Sequence, residues 1–199
     1  MPDIIAPSEA ALVALALANP VNRVVMEGLE AMAIPDAWLA SGCVFQPVWN
    51  GLTGRDPQHG INDYDVFYFD PDTSWAAEDA VIRRCTEAFS DIAAEVQVRN
   101  QVRVHLWYPE KYGRAYAPLR DSAESLRRFL APCCAVAIRK QGERYEVAAP
   151  FGLADTFAMV MRKNPETTGP RDQYDAKGRR WQALWPEMTV LPWGEEGAD

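Results

Sequence analysis

The chain has 199 residues, of which 48% are hydrophobic and 24% charged, and a net charge of −8, a composition that suits one globular domain with a sizeable core. The acidic balance argues against nonspecific binding to DNA or RNA, which draws on a surplus of cations. No apolar run approaches the ~20 residues of a membrane span, no basic residue precedes Arg23 as a secretory signal requires, and Cys43, Cys85, Cys133 and Cys134 lack metal-ribbon spacing, so a cytosolic protein with free, buried thiols is expected.

In chain order, Ser8 caps a predicted helix reaching Ala18, and Asn19-Pro20 supplies the cap and first turn of a second helix through Met32. Val21, Val24, Val25, Leu29 and Met32 form its apolar face. Ala37 to Ala40 reads as a short strand. It turns at Ser41-Gly42-Cys43 into a helix carrying Phe45, Val48, Trp49 and Leu52 at helical spacing, with Pro47 in its first turn. Backbone N–H groups left free at such a helix start suit a phosphate, which makes Ser41, Gly42 and Cys43 candidate substrate-binding residues. Gly51 to Gly60 is expected to be a polar loop with a solvated His59.

Asp63-Tyr64-Asp65 opens the run Val66-Phe67-Tyr68-Phe69, whose β-branched and aromatic content predicts a buried strand. Alternation sends Asp63 and Asp65 to the same side. Two carboxylates that close repel each other, and a divalent cation relieves the repulsion. The pair offers the hard oxygen ligands that Mg²⁺ takes when phosphates and water complete its octahedron.

After a turn at Asp70 to Ser74, a helix runs to about Phe89 with Val81, Ile82, Cys85, Ala88, Phe89 and Ile92 inward. Glu95 to Arg99 is a strand by alternation, with Glu95, Gln97 and Arg99 on one face. Asn100 to Tyr108 reads as a strand by alternation or as a helix capped by Asn100. Later come a helix over Asp121 to Leu130 and a hairpin of Cys133 to Arg139 with Glu143 to Ala149. A small helix from Leu153, a polar loop over residues 163–170 and a closing helix with Tyr174, Trp181, Leu184 and Trp185 complete the chain. The seven tryptophans read as core and tail anchors. Residues 1–34 are thus expected to form N-terminal helices, 35–108 the core, and 109–199 helices, hairpin and tail, all in one domain.

Charge is uneven. Only Arg23 and Arg55 of the 20 Lys and Arg residues precede residue 81, against 12 of the 28 acids, which gives −10 before that point and +2 after it. An acidic first part can draw a cation, and an Arg-rich later part can hold the anion it brings.

A strand, a small-residue turn into a helix and then an Asp-x-Asp strand together resemble the nucleotidyltransferase superfamily. The segments SGCVFQPVWNGLTG, DYDVFYFD, VRNQVRVHLWY, APFGLADTF, MRKNP and WPEMTVLPW, between about Trp38 and Trp193, resemble a bacterial nucleotidyltransferase-like family. The resemblance implies an α+β fold: a nucleotidyltransferase-like core with a small mixed β-sheet covered by helices. It also implies transfer of NMP from an NTP to the hydroxyl of an unknown acceptor, a small molecule or a protein, with Mg²⁺ held by Asp63 and Asp65. Arg103, whose guanidinium forks onto phosphate oxygens, and His105 then lie near the pair as candidate substrate contacts.

The family pattern carries a third carboxylate where this chain has Gln97, whose amide is uncharged and is no base near neutral pH. Glu95, roughly 6 to 7 Å earlier on the same strand face, is the candidate catalytic residue to replace it. The alternative reading is a catalytically impaired nucleotide-binding sensor or partner-binding module.

Overall fold

A computed structural model describes residues 5–194. Ser8 Oγ accepts the Ala11 N–H at 3.1 Å and starts α1 (Glu9–Ala18). Asn19 Oδ1 accepts the Val21 N–H at 3.0 Å and starts α2 (Pro20–Ala31), with Pro20 in the first turn. Asn22, Val25, Met26 and Leu29 form the buried side of α2. Val24, expected inward, is 50% exposed, because it lies about 100° around the helix from Val25 and falls outside that stripe. Among the described residues no single helix is long and apolar enough to cross a membrane.

Strand β1 (Trp38–Ala40) runs straight into α3 (Gly42–Thr53). Pro47 sits in the second turn of α3 rather than the first, where it withholds the N–H that the Cys43 carbonyl would accept. The buried Asn22 side chain donates to that carbonyl at 2.7 Å instead. The following loop is less solvated than expected. Its His59 ring packs edge-on at 5.5 Å from Trp185, and Gly60, at φ +75°, leaves no room for a Cβ, which would stand 2.5 Å from Trp185.

β2 (Asp63–Tyr68), α4 (Trp75–Ala88) and β3 (Glu95–Asn100) form a βαβ unit with β2 and β3 parallel. Of the two readings of the next segment, the helical one is observed. Asn100 Oδ1 accepts the Val102 N–H at 3.3 Å, and a 3₁₀ turn (Gln101–Arg103) leads into α5 (Val104–Tyr112).

The expected helix over Asp121 to Leu130 is a 3₁₀ segment, Ala123–Arg128. Here Ser125 Oγ donates to the Ser122 carbonyl at 2.7 Å, a local bond that competes with α-helical pairing. Pro132 turns the chain through a second 3₁₀ segment, Pro132–Cys134, so the hairpin strand starts later than expected. That hairpin is β4 (Ala137–Gln141) and β5 (Arg144–Ala148), joined through Gly142 at φ +59°. Then follow α6 (Ala154–Ala158), β6 (Val160–Met161), α7 (Arg171–Leu184) and β7 (Thr189–Val190), with β6 and β7 paired in a small parallel sheet.

The main sheet is mixed and five-stranded, in the order β3-β2-β1-β4-β5, so two of its strands come from outside the 35–108 span. One face buries Leu39, Tyr64, Val66, Tyr68, Val98 and Ile138 against the first four helices. The other carries Trp38, Ala40, Phe67 and Ala137 under Leu126 and Phe129 at one end, and Asp63 and Asp65 at the other. Tyr174, Trp181 and Trp185 dock α7 on the body. Trp181 lies 5.0 Å from Phe45 and 5.3 Å from Trp49, and Trp185 Nε1 donates to Asn50 Oδ1 at 2.9 Å. All four cysteines are free and buried, as expected.

Candidate active site

Ser41 links β1 to α3 with φ 63° and ψ −130°, a conformation that L-residues rarely adopt. It is pinned there: its N–H donates to the Val136 carbonyl at 2.9 Å, while its own carbonyl accepts from Val44 at 2.9 Å and Phe45 at 3.1 Å. The sharp turn lets α3 begin at Gly42, beside the Gln46 amide, which a Cβ at Gly42 would approach to 3.3 Å. The Cys43 side chain turns into the core, its Sγ donating to the Ala40 carbonyl at 3.2 Å. Ser41, Gly42 and Gln46 line a cleft of about 230 Å³, and Cys43 does not.

Asp63 and Asp65 face the same cleft. Strand register sets Asp65 between Ala40 of β1 and Gln97 of β3, and Asp63 opposite Glu95. Burial raises the Asp65 carboxyl to about 6, with the Asp63 charge adding to the shift and Lys177 and Arg99 opposing it. Gln97 Nε2 donates to Glu95 Oε1 at 3.1 Å and reaches Asp63 Oδ2 at 3.5 Å. Gln97 is thus the β3 neighbour of Asp65 and Glu95 that of Asp63, but neither is among the residues that line the cleft.

Among the described residues no group of three or more His, Cys, Asp or Glu side chains is arranged to hold a metal. A cation entering this cleft would meet two carboxylates from the protein, Asp63 and Asp65. This suits an ion that keeps waters and takes its other oxygens from substrate phosphates, as Mg²⁺ does.

The opposite wall comes from α7. Lys177, Arg180 and Trp181, at i, i+3 and i+4, line the cleft across from the two aspartates. Sequence reasoning missed all three, together with Gln46 and Asn62. The traces available were the Lys177-x-x-Arg180 spacing and the shift of positive charge toward the later part of the chain.

Arg103 and His105 lie elsewhere. The expectation that they flank the Asp pair fails because they follow the far end of β3, beyond the Asn100–Tyr68 pair. Arg103 is committed to Glu78, at 2.8 Å, and to the Thr73 carbonyl. His105 is half-buried, with an Nδ1 that has no partner among the described residues, and it does not line the cleft.

No curated protein matches this chain by sequence. Among solved structures the chain is similar to an NMR structure described as revealing a CCA-adding enzyme head domain. The TM-score is 0.73 at 24% identity, and the alignment covers 93% of this chain and 96% of that one. That likeness shows the fold, a small mixed sheet covered by helices. A family model described as nucleotidyltransferase matches residues 27–190, and the chain therefore belongs to the nucleotidyltransferase family.

Proposed function

We propose that this protein transfers NMP from an NTP to an acceptor hydroxyl in the cytosol, with Mg²⁺ held by Asp63 and Asp65. The observation that carries this reading is a single cleft lined on one side by Asp63, Asp65 and the start of α3, and on the other by Lys177 and Arg180. The N–H groups at the start of α3 and the two cations hold the β- and γ-phosphates. Bound Mg²⁺ supplies polarisation of the phosphoryl oxygens and neutralises developing charge. The acceptor oxygen forms a bond to the α-phosphorus while the bridging oxygen departs with pyrophosphate. Glu95, opposite Asp63 in register, takes the hydroxyl proton. Alignment of the two reactants accounts for much of the rate.

One observation favours a second reading, a nucleotide sensor with little turnover: the neutral Gln97 amide beside Asp65. Thermal shifts with each of the four NTPs, with and without Mg²⁺, followed by pyrophosphate release over a panel of acceptors, separate the two. Stabilisation with turnover supports the transferase, and stabilisation without it supports the sensor. If no nucleotide shifts the parent, and Asp65→Asn and Lys177→Ala behave like it, both readings fall.

A further inference from the structure

We infer that the cavity between the start of α4 and the exposed side of α5 is a second ligand site, separate from the aspartate cleft, that takes a small planar molecule carrying negative charge. The site rests on its own residues and stands apart from the nucleotidyl-transfer reading. The cavity measures about 660 Å³ and is lined by Trp75, Trp107, the cations Arg99, Arg103 and Lys111, and the acids Glu78 and Glu110.

Trp75 opens α4 with 61% of its surface in solvent, and Trp107 on α5, which lines the same cavity, is half-buried. Two indoles lining one open cavity mark a surface that a flat ligand can cover. Here they alternate with cations. The Arg103 guanidinium lies 5.6 Å from the Trp75 ring centroid, and Lys111 Nζ lies 5.7 Å from that of Trp107.

Glu78 is already committed, to Arg103 at 2.8 Å and to the Asn100 N–H at 2.9 Å. That leaves Arg99 and Lys111 facing Glu110, a positive surplus on a chain of net charge −8. The cations exceed the acids lining this cavity by one, which suits a small anion. They do not extend into the basic track that a nucleic-acid strand requires.

Calorimetric titration without Mg²⁺ tests the assignment with AMP, adenosine and inorganic phosphate as probes. AMP is expected to bind more tightly than either part alone, and equally well to an Asp65→Asn/Lys177→Ala protein whose cleft is disabled. Trp75→Ala/Lys111→Glu should weaken AMP by about tenfold or more while leaving the NTP–Mg²⁺ thermal shift unchanged. Unchanged AMP affinity in that variant, absence of AMP binding, or phosphate binding as well as AMP would overturn the site. So would a 12-nucleotide single strand binding more than about tenfold tighter than AMP. AMP binding here without any NTP shift would keep the site and remove the transfer reading.

Discussion

Asn22 donates to the Cys43 carbonyl at 2.7 Å, the acceptor that Pro47 leaves vacant, and to the Ala16 carbonyl at 2.8 Å. One buried amide thus joins α1, α2 and α3 just behind the turn at Ser41. Asn22→Ala strands the Cys43 carbonyl and takes one of two donors from the Ala16 carbonyl, which keeps the Asn19 N–H at 3.3 Å, and should lower stability by about 1 to 3 kcal/mol in urea unfolding. Pro47→Ala returns an N–H to Cys43, so in that background the loss at Asn22 should shrink. Strict additivity across the four proteins would show that the two residues do not share an acceptor.

Ser41 offers a test of stored strain. Its φ of 63° at ψ −130° is a glycine conformation, and holding a serine there costs on the order of 1 to 3 kcal/mol. Ser41→Gly should raise the melting temperature despite the extra chain entropy of glycine, and NTP binding should persist because the backbone N–H groups remain. A lower melting temperature would mean that the serine side chain itself holds the turn.

Asp65 predicts a pH profile. Burial, together with Asp63, raises it to about 6 from an ordinary 3.8. Between those values the folded chain keeps a proton that the unfolded chain has lost, so this group's contribution to stability falls as pH rises from about 4 to 6. The fall is at most about 3 kcal/mol. Subtracting the profile of Asp65→Asn from that of the parent isolates it, since other carboxylates have the opposite slope at lower pH. The variant should melt higher than the parent at pH 7.5. Mg²⁺ with an NTP should stabilise the parent well at pH 7.5, weakly at pH 5, and the variant at neither. Parallel melting curves for the two proteins across this range would refute the buried ionisation.

Gln97→Glu restores a carboxylate opposite Asp65. Without metal, a third negative group should destabilise the protein and raise the Asp65 titration further. With Mg²⁺ the loss should reverse, and pyrophosphate release should rise by about tenfold or more if the missing charge limits turnover. A variant that binds NTP as the parent does and turns over no faster would show that charge at position 97 does not limit turnover.

The parts of the fold set by local rules were readable from the chain. Ser8, Asn19 and Asn100 each cap where their side chains predict, and alternation placed Asp63 with Asp65 on one side of β2 and Glu95, Gln97 and Arg99 on one side of β3. Long-range choices were not. Nothing local tells that Asn22 serves α3, that β4 pairs with β1 and so widens the sheet, or that α7 returns to place Lys177 opposite Asp65. Arg103 was misplaced for the same reason: its partner Glu78 lies on α4, a relation that only the docking of α4 on β3 creates. The tryptophans divide similarly, with Trp49, Trp181 and Trp185 in the core as expected and Trp75 at the surface.

The cationic wall of the cleft arrives far later in the chain than the acidic one, on a helix held chiefly by tryptophans against α3. Undocking that helix would dismantle the pocket and bare trypsin sites at Lys177, Arg179 and Arg180 while leaving the sheet intact. Occupancy and protease resistance should therefore rise together, with the bound triphosphate acting as the clasp that keeps the last helix closed.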